Sequence, residues 1–241
     1  MRALVGLGPA LCLGFLACTR ADGEPRPTAA EGPLVVELFT SQGCSSCPPA
    51  ERLLSRLARD GAVAGRAVAP LAFHVDYWND LGWADPYSSP AWTERQQQYA
   101  RAIGDDRVYT PELVVGGSTG VLGSSLPAIS QAVQRAAPPA VLAATAAWTR
   151  DALTVTTTAP ADAEVWVAVW QDSTSTAVTR GENAGETLGG DRVVRRLERI
   201  ATAGQRATRA IALDPGWRAS GALAFAQRAD RRIVASALLR R

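Results

Sequence analysis

Two cysteines separated by two residues, Cys44 and Cys47, lie between an apolar run and a helical pattern, and this junction constrains the possible fold more than any other feature. Residues 34–40 (LVVELFT) are typical of a buried central strand. A helix is predicted over about 47–59, because apolar side chains recur there every fourth residue. Residues three apart in the first helical turn are close enough for a disulfide, and the positive end of a helix stabilises a thiolate. We therefore expect Cys44 to be an exposed nucleophile and Cys47 to be the more buried resolving thiol.

The rest of the first half alternates strand and helix signals. Serine followed by proline at 89 and 90 is typical of a helix start, because serine caps the first turn and proline is tolerated at the first helical position. The other predicted elements are a strand at 70–75, a strand at 112–116, a hairpin partner at 120–122 and a helix from Pro127. This order predicts a small α/β domain over residues 34–137.

The second half, residues 138–241, begins at a Pro-Pro pair and has a different pattern. Residues 153–158 and 164–170 alternate apolar and polar side chains with the period of a strand. Further strands are predicted at 209–213, 222–227 and 233–239, with turns between them. A mostly antiparallel β-sandwich fits these runs best, while residues 192–201 fit a helix as well as a strand.

Composition excludes many kinds of site. All 25 basic residues are arginine and His74 is the only histidine, which excludes lysine chemistry and histidine-rich zinc sites. A site with Cys44, Cys47 and His74 leaves zinc one ligand short, although a copper(I) site on the two thiolates is conceivable. We therefore expect neither a metal nor a cofactor. The net charge of +2 gives no reason to expect a nucleic acid partner.

The first residues carry the pattern of an export signal. Residues 1–17 combine an early arginine with an apolar run that is too short to span a membrane comfortably, which predicts a signal peptide. Cys18 follows a small residue as in a bacterial lipobox, so we expect it to be the lipid attachment site; cleavage after Ala21 is the alternative. Residues 18–33 are rich in Pro, Gly and Ala and predict a disordered tether. We expect a periplasmic protein anchored by lipid to the outer membrane, or a secreted one if Cys18 is not acylated.

Three segments carry a resemblance to a known group of proteins. They are ELFTSQGCSSCPPAE at 37–51, HVDYWNDLGWADPYS at 74–88 and VYTPELVVGG at 108–117. They resemble an exported bacterial family of unknown function in which a thioredoxin-like half precedes a β-rich half. The resemblance covers most of residues 34–241, with its specific motifs in the first half.

The resemblance implies a thioredoxin-like fold for residues 34–137 and roles for three residues. In that fold a cis-proline lies against the cysteine pair, which implies a cis bond before Pro111 and a substrate contact at Thr110. Glu37 is similar to the buried acid that moves protons to and from the second cysteine. It stands seven residues before Cys44, one more than the usual spacing. The alternative for Glu37 is a carboxylate at the strand edge paired with an arginine.

Six aromatic residues fall between positions 77 and 99. They either form a small local core or line a groove for a polypeptide, and Tyr77 and Trp78 are the candidates for substrate contact. His74 and Asp76 alternate along the predicted strand, so both point to one side. They either border the cysteine site or are structural.

The predicted function is that of an exported thiol–disulfide oxidoreductase that acts on protein thiols or disulfides through Cys44 and Cys47. A disulfide across so short a loop contributes little to stability, which favours a redox role. The alternative is a redox-inactive envelope scaffold or binding protein in which the C-x-x-C disulfide is structural. Ser45 and Ser46 between the cysteines leave the direction of electron flow open.

Overall fold

A computed structural model of the chain describes residues 31–217 and 220–241, together with Met1. The described helices are α1 (Pro48–Asp60), α2 (Pro90–Ile103) and α3 (Leu126–Arg135), with a short 3-10 helix at Asn79–Leu81. The first strands are β1 (Leu34–Thr40), β2 (Ala62–Val63), β3 (Arg66–His74), β4 (Glu112–Val115), β5 (Thr119–Leu122), β6 (Ala140–Val141), β7 (Ala144–Trp148) and β8 (Ala152–Thr158). They are followed by β9 (Glu164–Gln171), β10 (Thr174–Ala177), β11 (Thr187–Gly190), β12 (Val193–Ala201), β13 (Arg206–Ala212), β14 (Ser220–Gln227) and β15 (Ile233–Leu239).

In the first half, strand β1 is central. It pairs in parallel with β3 and antiparallel with β4, and β5 lies outside β4, which gives the order β5-β4-β1-β3. Helices α1 and α3 pack on one face of these strands and α2 packs on the other. Every residue of β1 is buried because both faces of the strand are covered, which explains its nearly continuous apolar sequence.

The second half continues the same sheet. Strand β12 lies beside β3 through the parallel pair Val193 and Ala72, and β9, β14, β15 and β6 follow in order. A separate layer of β13, β8 and β7 packs over these strands around a core that includes Val155, Val167 and Ile211. The segment 192–201, which fits a helix equally well by sequence, pairs along its length with β9 as part of β12.

A hairpin of β10 and β11 stands between β9 and β12. Neither strand was predicted, because their sequences TSTA and TLGG lack an alternation of apolar and polar residues. The hairpin precedes Val193, which pairs near the end of β3. The residues between its two strands lie at the sheet edge where β1 ends, because the Asn183 side chain donates to the Gln42 carbonyl there.

The described part of the chain has no helix that is both long and apolar enough to cross a membrane. The predicted signal peptide at 1–17, most of the predicted tether and Cys18 lie outside the described residues. The last residues assigned to the tether contact the fold, since the Gly32 amide donates to the Pro139 carbonyl at 2.9 Å and the Ser236 hydroxyl donates to the Pro33 carbonyl at 2.6 Å.

Candidate functional site

The candidate site lies between the end of β1 and the start of α1. Cys44 and Cys47 form a disulfide there, with their Cα atoms 5.5 Å apart. Cys47 is the N-cap of α1, and its amide donates to the Cys44 carbonyl at 3.2 Å. The helix start thus holds both cysteines at the positive end of α1.

Both cysteines are buried, with 0% of each residue exposed, so the expectation of an exposed Cys44 is wrong. Ser45 and Ser46 between them are exposed. A segment of the second half, residues 179–185 between β10 and β11, lies against the backbone around Cys44, and we call it the cover loop. The Asn183 side-chain amide donates to the Gln42 carbonyl at 2.8 Å and to the Cys44 carbonyl at 3.1 Å.

The cover loop also contributes a carboxylate. Glu182 accepts a hydrogen bond from the Ser45 amide at 2.9 Å, directly beside the disulfide. Hydrogen bonds from the Ser45 side chain and amide lower the pKa of Glu182. The backbone around the cysteines therefore has its polar groups satisfied by side chains from the other half of the chain.

The loop before β4 meets the disulfide from the other side. The bond between Thr110 and Pro111 is cis, the isomer that the resemblance implied. The Thr110 carbonyl oxygen lies 4.0 Å from Cys44 Sγ, and the Trp78 indole N–H donates to the Thr110 hydroxyl at 2.8 Å. Thr110 and Trp78 are thus brought together beside Cys44.

The predicted aromatic cluster divides between core and surface. Trp92 and Tyr99, both on α2, are buried in the core against Phe73 and Phe39, as expected for a local core. Tyr77 is 37% exposed, and its hydroxyl donates to Gln96 at 3.2 Å. Burial raises the pKa of Tyr77 to about 12. It therefore stays protonated at neutral pH.

Glu37 lies on the face of the sheet opposite α1. Its carboxylate accepts two hydrogen bonds of 2.8 Å from the Arg95 guanidinium and one of 3.0 Å from the Tyr99 hydroxyl. All three side chains are buried. The alternative that the sequence left open for Glu37, pairing with an arginine, is the arrangement observed, and the charge is neutralised locally.

A buried group of ionisable residues lies on the cysteine side instead. It consists of Glu51, His74 and Asp85, which we call the buried triad. His74 Nδ1 and Asp85 Oδ2 are 2.7 Å apart, and the Thr40 hydroxyl donates to Glu51 at 2.7 Å. Glu51 stands one helical turn after Cys47, whose carbonyl accepts the Glu51 amide at 3.2 Å.

The buried triad has shifted pKa values. Burial raises the pKa of Glu51, and the charge of His74 and the Thr40 hydrogen bond only partly offset it. Burial by itself lowers the pKa of His74, but the charge and hydrogen bond of Asp85 and the charge of Glu51 outweigh it and raise the value. Burial by itself raises the pKa of Asp85, and His74 together with the Gln42 and Tyr87 amides brings it below its ordinary value. Both shifts favour the pairing of a protonated His74 with an ionised Asp85.

Sequence reasoning missed two members of the buried triad. Glu51 was visible as the residue four positions after Cys47 in a predicted helix. Asp85 had no local signal, because it comes from an irregular segment after the 3-10 helix. Asp76, which was expected to share a side with His74, binds the Thr93 hydroxyl instead. Among the described residues, no group of three or more His, Cys, Asp or Glu side chains is arranged to hold a metal ion.

Comparison with known proteins gives two matches. A family model described as "Protein of unknown function (DUF1223)" matches residues 35–227, which include the cysteines, the buried triad and the cover loop. A crystal structure of an Agrobacterium tumefaciens protein from a structural genomics programme is 28% identical and superposes with a TM-score of 0.64. The match covers 88% of this chain and 96% of that chain. No curated protein matches the chain.

The ion pair of His74 and Asp85 predicts a pH-dependent stability. The His74 pKa is raised, so its contribution is complete below the ordinary value of about 6.5 and is lost as the pH rises through the raised value. The Asp85 pKa is lowered, so its contribution is present above the ordinary value of about 4 and is lost as the pH falls through the lowered value. Asp85→Asn should therefore reduce the free energy of unfolding by about 3 kcal/mol near pH 5 and by less above the raised His74 pKa.

Urea unfolding from pH 4 to pH 9 measures this difference. The control is Asp80→Asn, an exposed carboxylate in the same segment, which should change the free energy of unfolding by no more than about 0.5 kcal/mol. A difference between wild type and Asp85→Asn that stays constant over this range would contradict the ion pair.

Proposed function

The chain belongs to the DUF1223 family of proteins of unknown function, and we propose from the site itself that it catalyses thiol–disulfide exchange with protein cysteines through Cys44 and Cys47. One observation carries the proposal: the disulfide lies at a helix N-terminus, with Cys44 Sγ 4.0 Å from the carbonyl of Thr110. A helix N-terminus lowers the pKa of a thiol, which makes the thiolate available as nucleophile and leaving group.

We also propose that residues 34–137 are a thioredoxin-like unit. The strand order β5-β4-β1-β3, with β4 antiparallel to its neighbours, supports this assignment. The placement of α1 and α3 on one face and α2 on the other also supports it. The β-rich half then contributes strands β6 to β15 and the cover loop.

The exchange proceeds in two steps when a protein dithiol is the partner. A partner thiolate attacks Cys44 Sγ, a bond forms between the two sulfurs, and the bond between Cys44 and Cys47 breaks with Cys47 leaving as a thiolate. The second partner thiolate then attacks the partner sulfur of the mixed disulfide and releases Cys44 as a thiolate. The partner loses two electrons and becomes a disulfide, while Cys44 and Cys47 gain them; the reverse sequence reduces a partner disulfide.

The Cys47 thiolate takes up a proton after it has left, and Glu51 is placed to supply it. Glu51 is buried one turn after Cys47 on α1, and its raised pKa lets the carboxyl hold a proton at a higher pH than usual. A thiolate on Cys47 would raise that pKa further, because two negative charges in a buried site repel each other. Glu37, the acid expected from the sequence, lies on the opposite face and is paired with Arg95.

A redox-inactive scaffold remains the second candidate function, and one observation favours it. Both cysteines are completely buried, as in a structural disulfide. In that case Cys44 would react neither with a partner disulfide nor with mild reductants.

Trapping separates the two candidates. Reduced Cys47→Ser should form a mixed disulfide with insulin through Cys44, because Cys44 attacks an insulin disulfide and no resolving thiol follows. Intact mass measures the adduct. The matched variant Cys44→Ser should form far less adduct. If Cys47→Ser yields no adduct with insulin, the redox proposal is wrong.

The role of Glu51 has its own test. Glu51→Gln keeps an oxygen that accepts from Thr40, so the free energy of unfolding at neutral pH should not fall. Reduction of the disulfide by reduced, unfolded ribonuclease A should slow by roughly tenfold or more, because Cys47 loses its proton donor. The reaction is followed by tryptophan fluorescence. A plot of its rate against pH should lose the inflection that Glu51 causes. Glu94→Gln, an exposed carboxylate on α2, is the control and should keep the wild-type profile.

We further propose that the protein is exported and anchored by a lipid on Cys18. The support is the apolar run in residues 1–17 followed by a cysteine, and the disulfide, which persists in an oxidising compartment. The intact mass of the mature protein should equal the chain from Cys18 plus its lipid. An unmodified chain that starts at Asp22 would rule out the anchor.

A further inference from the structure

The cover loop places the second half of the chain directly on the cysteine site. Its three hydrogen bonds to the first half go to backbone groups before and after Cys44: the carbonyls of Gln42 and Cys44 and the amide of Ser45. Asn183 makes two of these bonds and is 7% exposed. The residues on either side of Asn183 are exposed, so Asn183 is the one buried side chain of the cover loop.

A second contact fixes the loop near its start. Gly82 and Gly181 lie so close that a side-chain carbon added at Gly82 would be 3.1 Å from the Gly181 Cα, and one added at Gly181 would be 3.1 Å from the Trp83 Cβ. Both glycines have positive φ angles, of 109° and 78°. The contact between the two backbones involves only these glycines and Trp83, and it buries no large apolar side chain of the cover loop. Few interactions must therefore break for the loop to move away from the cysteine site.

A molecule that replaces the loop must bind the same three backbone groups, the carbonyls of Gln42 and Cys44 and the amide of Ser45. Two backbone carbonyls need donors and one backbone amide needs an acceptor, and leaving them unpaired in a closed site is unfavourable. An extended polypeptide carries amides and carbonyls at short intervals and can supply both kinds of partner. Glutathione has only two peptide bonds and presents fewer of these groups at once than a longer chain does.

We propose that the cover loop determines the specificity of the cysteine site: it closes the disulfide to small thiols and is displaced by an extended polypeptide segment that takes over its hydrogen bonds. This inference rests on the proposed exchange function and assigns the second half of the chain a part in it. Asn183 is a positioning residue, since it acts on the disulfide through the backbone of Gln42 and Cys44.

The rate of disulfide reduction by glutathione tests the closure. Asn183→Ala removes two hydrogen bonds from the closed state and should raise this rate roughly tenfold. Glu186→Gln, an exposed position directly after the cover loop, is the control and should react at the wild-type rate. Alkylation of the freed thiols followed by intact mass gives the rate. Equal rates for wild type and Asn183→Ala, with unchanged thermal unfolding, would overturn the proposal.

A second variant covers the case in which Asn183→Ala does not fold. Glu182 has an exposed side chain, and Glu182→Gln weakens its bond to the Ser45 amide by removing the charge. It should raise the rate with glutathione severalfold, and an unchanged rate would count against the closure.

The preference for polypeptides is measured with reduced, unfolded ribonuclease A as the probe. At equal thiol concentration the wild type should oxidise this protein faster than it oxidises glutathione. Asn183→Ala should lower the ratio of these two rates. Failure of the wild type to exchange with ribonuclease or with insulin would refute the proposed function. Even then, a faster reaction of Asn183→Ala with glutathione would support closure by the loop. The failure of the exchange function can thus be told apart from the failure of the closure.

Discussion

The second half of the chain is attached to the first where β12 meets β3, and the cysteine site depends on this junction. The Ala72 amide donates to the Arg192 carbonyl at 2.8 Å, and Val193 pairs with Ala72. Val193, the first residue of β12, pairs with Ala72 near the end of β3. The hairpin that precedes it reaches the helix start that carries Cys44 and Cys47, where Asn183 binds the carbonyls of Gln42 and Cys44.

A buried polar network holds the two halves in one orientation behind the sheet. Arg95 of α2 binds Glu37 and also donates to the Gln227 side chain of β14 at 3.3 Å, and Gln227 donates to the Tyr99 hydroxyl at 2.8 Å. The described residues include no buried side-chain nitrogen or oxygen that lacks a partner. Charged groups in a core are satisfied in few geometries, so such a network disfavours other packings of the halves.

The parts of the site that could be predicted are those with local signals. The apolar run, the C-x-x-C spacing and the helix pattern placed Cys44 and Cys47 at the start of a helix, and the disulfide is present there. Asn183 could not be predicted, because it is 139 residues from Cys44 and lies in a hairpin without apolar alternation. The exposure of Cys44 was predicted wrongly for the same reason, since local pattern says nothing about a loop that returns from another strand.

The contact between Asn183 and the backbone around Cys44 limits how the two halves of the chain can be separated in evolution. A gene fragment that encodes residues 34–137 alone would carry both cysteines and Thr110 but not the side chain that shields them. A fragment for the remaining residues would carry Asn183 with no disulfide beneath it. The two halves have different sequence patterns. Because the cysteine site uses residues from both, selection on that site acts on both halves together.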